Sequence, residues 1–237
     1  MHTRVKSEVI SLAQAAPATE VCGFLIDHGG LKTFPCSNAS PEPAESFEID
    51  PQDHIRALRA GRIMGVYHSH PDDSSFSPAD LTYAEEAAYP LFLYSVASDT
   101  WREYLPPTYS PALIGRSWVL GLWDCFGIVR DYYRQHFDYY ISDYDRDESY
   151  DHEERDLIMR NFEQEGFQQI SVADACVYDL LVFKTNKALP QHFGILTSPQ
   201  HMLHHVQNGL SGEEVISGRW LERAICAFRL KRKPDLV

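Results

Sequence analysis

Two stretches of this chain hold side chains whose types and spacing could do chemistry. In GVYHSHPDDSSFSPADLTY, residues 65–83, His68 and His70 alternate on an apolar run and Asp80 follows a short acidic, serine-rich loop. Residues two apart on a strand leave the same face roughly 7 Å apart, so both imidazoles can reach one ion at about 2.0–2.1 Å. Ser77 suits a helix N-cap and Pro78 the first helical position, which puts Asp80 in the first turn, where a carboxylate is electrostatically favoured. If that turn faces the strand end, Asp80 is a third ligand. Three protein ligands leave the fourth tetrahedral position to water, the pattern of a catalytic zinc. Either fragment alone has a plain structural reading, polar decoration of a strand or an ordinary helix start. Together, at fixed offsets, they point to a metal.

The second stretch is LWDCFGIVRDYYRQHF. Ile128, Val129, Tyr132, Tyr133 and Phe137 fall on one helical stripe, with Cys125 at its start. A helix N-terminus lowers a thiol's pKa through its dipole and free N–H groups, whereas a cysteine buried there is inert. A thiolate nucleophile also needs a histidine base, and that base needs a third group to orient it. Downstream, QHFGIL offers His192, and HMLHHV offers His201, His204 and His205.

The elements that would position these groups can be read from period and punctuation. Residues 2–15 read as an amphipathic helix, CGFLID and LKTFPCSNAS as strands about the turn HGG, and DPQDHIRALRAG as a short helix. IMGVYHSH is a strand, SPADLTYAEEAAY a helix, and LFLYSVAS with WREYL a closing hairpin. Alternating helices and strands over residues 1–105 make a complete α/β unit. Residues 106–111, in the proline-rich LPPTYSPA, are the expected linker, because proline stiffens the chain and removes donors. Residues 112–237 then give the Cys125 helix, an acidic run over 138–156 read as a solvated loop, and a helix ending at Gly166. CVYDLLVF, HFGILT, HMLHHV and GRWLERAICAFRL follow as strands, an α+β order.

Bulk properties narrow the choice. At 237 residues the chain suits one large domain or two compact ones, and 44% hydrophobic with 23% charged residues is an ordinary globular balance. A formal charge of -13 argues against nucleic acid as a partner, since such binders carry a basic face. No stretch approaches the roughly 20 apolar residues of a membrane span. The opening MHTRVKSEVISLAQ reads as a helix and not a signal core, so synthesis and folding in the cytoplasm are expected. Five cysteines without a CxxC pair argue against a disulfide framework, and at least one thiol stays free.

The first stretch, His68-Ser-His70-Pro71 with Ser77 and Asp80, resembles the JAMM (MPN+) metalloprotease motif at every specified position, and TEVCGFLI resembles its upstream glutamate element. Spacing alone does not separate Glu20 from Glu45 or Glu48. The resemblance covers residues 1–105 and implies a cytidine deaminase-like α/β fold, one zinc ion held by His68, His70 and Asp80, Glu20 as general acid/base, and Ser77 as donor to a tetrahedral oxyanion. The implied reaction is hydrolysis of an amide or isopeptide bond.

The second half, through DCFGIVRDYY, HFGIL and MLHH, resembles the NlpC/P60 cysteine peptidases. This implies a papain-like α+β fold, with Cys125 as nucleophile, His192 as base and His204 as the orienting group. Adjacent strand residues face opposite ways, so only one of His204 and His205 can point inward. Tyr178-Asp179 stands where the family has Gly-Asp. The family's substrate is the peptidoglycan stem peptide.

The rare order of the two domains resembles that of tail assembly proteins of lambda-type phages. It implies tail tip proteins as partners, assembly in the host cytoplasm, and a place at the virion tail tip with local opening of the cell wall. The alternatives are an assembly factor whose peptidase folds act as binding modules, and an isopeptidase for a ubiquitin-like modifier, against which the second domain argues.

Overall fold

The computed structural model describes residues 1–146, 161–184 and 190–231. The chain divides into two compact units, His2–Ser110 and Pro111–Val237. No helix among the described residues is long and apolar enough to cross a membrane.

The first unit runs α1 (Thr3–Ala15), β1 (Cys22–Asp27), β2 (Leu31–Cys36), α2 (Pro51–Ala60), β3 (Arg62–His70), α3 (Pro78–Ala87), β4 (Leu91–Ser95) and β5 (Thr100–Tyr104). Its sheet has the order β2-β1-β3-β4-β5, and only the β3–β4 pair is parallel. A parallel pair requires a crossover, and α3 supplies it. The crossover helix therefore starts just beyond the C-terminal end of β3. Pro35 lies within β2, which its edge position permits, because an edge strand can spare a ladder donor. Ala57 of α2 and Ala84 of α3 join Phe24, Ile26, Ile63, Val66 and Leu91 in one apolar core. On the other face α1 packs through Val5, Val9 and Ala13, with Glu8 accepting from Thr33 and Lys6 over the Trp101 ring. In the expected linker segment the Thr108 hydroxyl donates to the Glu85 carbonyl.

The second unit runs α4 (Cys125–Phe137), β6 (Phe167–Ile170), a 3-10 turn (Val172–Asp174), β7 (Leu180–Lys184), β8 (Pro190–Ser198), β9 (His201–His204), β10 (Gly212–Val215), α5 (Arg219–Arg223) and β11 (Ala224–Leu230). The strands form an antiparallel sheet in the order β10-β9-β8-β7-β11-β6. Period-2 alternation divides its faces. Leu180, Val182, Phe193, Ile195, Leu203 and Phe228 meet the stripe of α4 foreseen from the sequence. Leu181, Phe183, Leu196, Met202 and Ala227 pack with Trp220 on the other face.

Three sequence expectations are corrected. GRWLERAICAFRL is a short helix followed by a strand, because Trp220 turns inward before alternation begins at residue 224. Two edge strands, β6 and β10, escaped the reading: FQQI and GEEV are half polar, as edges that resist stray pairing must be. The acidic run is no simple solvated loop over its described part, residues 138–146: Ile141 is buried, and so is Arg146. Its remainder, 147–156, and most of the helix expected before Gly166 lie outside the described residues.

Gly127 in the first turn of α4 has no room for a side chain, since a Cβ there would stand 1.8 Å from the Leu122 carbonyl oxygen. Backbone cannot yield as a flexible side chain can. We expect Gly127→Ala to destabilise the second unit by about 2–4 kcal/mol, in the range of severe overpacking. A urea titration followed by far-UV circular dichroism should show the transition of that unit moved to lower denaturant.

Candidate active sites

The end of β3 presents His68 and His70 on the face shared with α2 and α3, and α3 returns Asp80 over them. Ser77 caps α3 reciprocally: its Oγ accepts from the Asp80 amide at 3.2 Å, and its own amide donates to Asp80 Oδ2 at 2.7 Å. That box fixes the Asp80 rotamer. Oδ2 then stands 3.4 Å from His68 Nε2 and 3.3 Å from His70 Nε2, and the two imidazole nitrogens are 3.1 Å apart. Four ligands at about 2.0–2.1 Å from a tetrahedral centre are separated by about 3.3–3.4 Å, so this triangle is close to one face of such a tetrahedron. Among the described residues, His68, His70 and Asp80 are the one group of this kind brought together.

The donor set fits zinc on chemical grounds too. Two buried imidazole nitrogens face each other and a carboxylate oxygen, and the Nδ1 atoms of both rings have no hydrogen bond, a poor arrangement for neutral groups and a good one for a cation. Nearby, Glu20 Oε1 is 3.4 Å from His70 Nε2, while Glu20 Oε2 is buried without a hydrogen bond. Burial pushes the Glu20 carboxyl up to about 7, with His70 opposing and Asp80 assisting. Burial also pushes Asp80 upward, but hydrogen bonds from His68 and His70 hold it well below the usual carboxylate range. Burial lowers His68; at His70 the hydrogen bond to Asp80 and the charge of Glu20 outweigh burial and raise it.

The loop over residues 37–50 completes this site, and nothing in the sequence pattern announced it. The Glu20 amide donates to the Pro43 carbonyl at 2.6 Å, and the Glu20 carbonyl accepts from Asn38 Nδ2 at 3.0 Å. Phe47 stacks on the His68 ring at 4.6 Å. Glu45 and Glu48, the rival glutamates, are exposed on the same loop.

The second unit brings part of the expected cysteine site together. His192 on β8 and His204 on β9 share the sheet face of Trp220, and His192 Nε2 lies 2.9 Å from His204 Nδ1. His205 points the other way, edge-on to Trp118 at 5.2 Å, fully buried and with neither ring nitrogen in a normal hydrogen bond. Burial, then the Arg116 charge, pull His205 down to about 4. His201 takes a local role, with its Nδ1 2.9 Å from Ser198 Oγ. Beyond His204 stands a residue absent from the sequence reading, Glu214, whose Oε2 is 3.1 Å from His204 Nε2.

Cys125 opens α4 as expected, yet its environment differs from the expectation of an acidified thiol. The free amides at the helix start are taken by Asp124, whose Oδ1 accepts from Phe126 at 3.0 Å and Gly127 at 2.8 Å. Burial, and then the adjacent Asp124 charge, push the Cys125 thiol up to about 12, with Arg146 opposing. Burial, with His204 and His205 nearby, pulls His192 down to about 3. No hydrogen bond is found between Cys125 and His192, and burial favours the neutral form of both the thiol and the imidazole. The ion pair that pins the helix start was also missed: Arg146 Nε donates to Asp124 Oδ2 at 2.8 Å, and its Nη1 to Asp143 Oδ1 at 2.7 Å.

Comparison with known proteins divides the chain in the same order. Residues 2–106 match the family model for prokaryotic homologs of the JAB domain, and residues 115–229 match that of the NlpC/P60 family. The Tail tip assembly protein K of Escherichia phage N15 is 30% identical over 98% of this chain and 96% of its own length. That of Escherichia phage lambda is 26% identical, over 76% of this chain and 88% of its own. The Desampylase of Haloferax volcanii is 32% identical, over 38% of this chain and 70% of its own.

Asp124 is buried, and the Arg146 charge and backbone donors hold its carboxyl below the ordinary range against the upward push of burial. A depressed carboxylate stabilises the fold above its unfolded pKa and loses that contribution as pH falls through its folded value. Removing the arginine leaves an uncompensated buried charge, which costs about 3–5 kcal/mol. We therefore expect Arg146→Leu to lower the stability of the second unit at pH 7 by that amount and to flatten the acid limb of its stability below about pH 4. Thermal melts of both proteins between pH 7 and pH 3 give the comparison.

Proposed function

Because this chain belongs to the family of the Tail tip assembly proteins K, with a JAB-type domain ahead of an NlpC/P60 domain, we propose that it serves phage tail tip assembly and carries two hydrolytic sites. The first is a zinc-dependent peptidase or isopeptidase, and the second a cysteine peptidase acting on peptidoglycan stem peptides. What carries this is the convergence of His68, His70 and Asp80 beside Glu20, whose Oε1 is 3.4 Å from His70 Nε2.

At the first site His68, His70 and Asp80 would hold the zinc ion. When bound, zinc supplies Lewis acidity and makes hydroxide available near neutral pH. Glu20 does the proton work: its unpartnered Oε2 takes a proton from the attacking water and later returns it to the leaving amine. A carboxyl held up to about 7 by burial suits both halves of that task. The Ser77 hydroxyl accepts from the Asp80 amide and keeps its own proton to donate, so helix capping and oxyanion stabilisation are compatible. Such a donor contributes about 2.7–4 kcal/mol where it meets developing charge.

At the second site His192 takes the proton of the Cys125 thiol as sulfur attacks the carbonyl carbon, then gives it to the leaving amine. Water afterwards releases the acyl group from sulfur. His204 holds His192 by its hydrogen bond. The neutral resting pair means that the thiolate forms on substrate engagement. The raised thiol also favours a second reading, in which this unit binds its ligand without cleaving it.

Digestion of purified peptidoglycan, with fragments identified by mass spectrometry, separates the two. We expect Cys125→Ala to reduce fragment release on the order of a thousandfold or more and His68→Ala to leave it unchanged, as suits loss of a nucleophile from an independent site. Equal cleavage by Cys125→Ala would remove the cysteine assignment. Normal infectious tails from a Cys125→Ala, His68→Ala double variant would favour a purely structural role.

A further inference from the structure

We propose that Glu214 is a positioning residue of the cysteine site: acting through His204, it fixes the tautomer of His192 so that His192 Nδ1 is the bare nitrogen available to accept a proton. This deepens the reading of Cys125 and His192 as nucleophile and base, and rests on it.

Proton counting along a three-membered chain fixes the tautomer. Glu214 Oε2 is 3.1 Å from His204 Nε2, and His204 Nδ1 is 2.9 Å from His192 Nε2. Each of these contacts needs one proton between its two heavy atoms. An ionised carboxylate can only accept, so His204 Nε2 must carry the hydrogen. A neutral imidazole has one N–H, which leaves His204 Nδ1 as an acceptor. His192 Nε2 must then donate, and the single N–H of His192 is spent there. Nδ1 of His192 is bare as a result. Run without the carboxylate, the chain can reverse: His204 Nδ1 donates to His192 Nε2, the His192 hydrogen moves to Nδ1, and the ring can no longer take a proton at that atom.

The surroundings keep the count valid. Both rings are buried, and burial holds each below its ordinary pKa, so both are neutral at pH 7. Trp220 stacks on His192 at 5.3 Å and meets His204 edge-on at 5.0 Å, which restrains both rings. Glu214 is half exposed on the edge strand β10, and Arg219 Nη2 lies 3.3 Å from its Oε1, leaving Oε2 for His204. Although its partial burial pushes upward, Trp220, His204 and Arg219 hold its carboxyl below the usual range. The other ionisable group that acts on His192 is His205, the residue after β9, whose charge opposes that of His192.

The test uses the full chain labelled with 15N-histidine. In wild type at pH 7 we expect N–H signals at His204 Nε2 and His192 Nε2, and a bare-nitrogen signal at His192 Nδ1. Glu214→Leu should mix the tautomers and slow alkylation of Cys125 by iodoacetamide, read at that residue by mass spectrometry. The slowing should be about tenfold to a hundredfold, as when a base leaves its competent tautomer. Glu214→Gln, whose amide oxygen still accepts, should stay within about twofold, since the hydrogen-bond direction survives loss of charge. An Nδ1–H tautomer of His192 in wild type overturns the proposal, whether or not the leucine variant folds. So does a Glu214→Leu protein with unchanged tautomers and alkylation rate. Peptidoglycan cleavage that survives Cys125→Ala would instead remove the underlying assignment, and leaves the measured tautomer standing as a separate result.

Discussion

Two imidazoles and a carboxylate packed against one point, with a second carboxylate beside them, form the constraint around which the first unit is built. Burying four such groups without water is costly unless something between them carries positive charge. The fold holds them there nonetheless, through the β3–α3 crossover, the Ser77–Asp80 capping box, and a loop whose Asn38 and Pro43 grip the backbone of Glu20. Each device is a local backbone preference put to use in aiming a side chain. The cation that would balance them is the group that the proposed chemistry calls for.

The second unit solves a different problem. The helix start that bears Cys125 is fixed by Asp124, which satisfies the first amides of α4 and is itself neutralised by Arg146. That arrangement secures the position of Cys125 and forgoes the acidification that open amides would have given. The histidines compensate in another way. Trp220 and the sheet bury both rings, and burial favours their neutral forms, which is the state the proposed base requires. One candidate site thus gathers groups that suit a cation, and the other gathers buried imidazoles in their neutral forms.

How much of this was legible follows from where the information sits. His68, His70, Ser77 and Asp80 lie within thirteen residues, and strand alternation with helix capping relates them in space directly. The stripe of α4 and the strands holding His192 and His204 were readable for the same reason, since their periods are 3.6 and 2. Glu20 was different: nothing local separates it from Glu45 and Glu48, and only the β1–β3 pairing brings it to His70. Arg146 was hidden inside an acidic run whose composition suggests solvent. Glu214 was hidden on an edge strand too polar and too short to announce itself, although its alternation with His204 across β9–β10 is regular once the register is known. Long-range pairing is what a single sequence carries most weakly.

The most direct measurement of the central claim is X-ray absorption at the zinc edge on the purified full chain, after dialysis against one equivalent of zinc. The expected result is a single tightly held ion with two imidazole nitrogens and oxygen donors at about 2.0–2.2 Å, lost on Asp80→Ala. A wild-type protein that retains no zinc, or whose ion shows no imidazole scattering, would contradict the account.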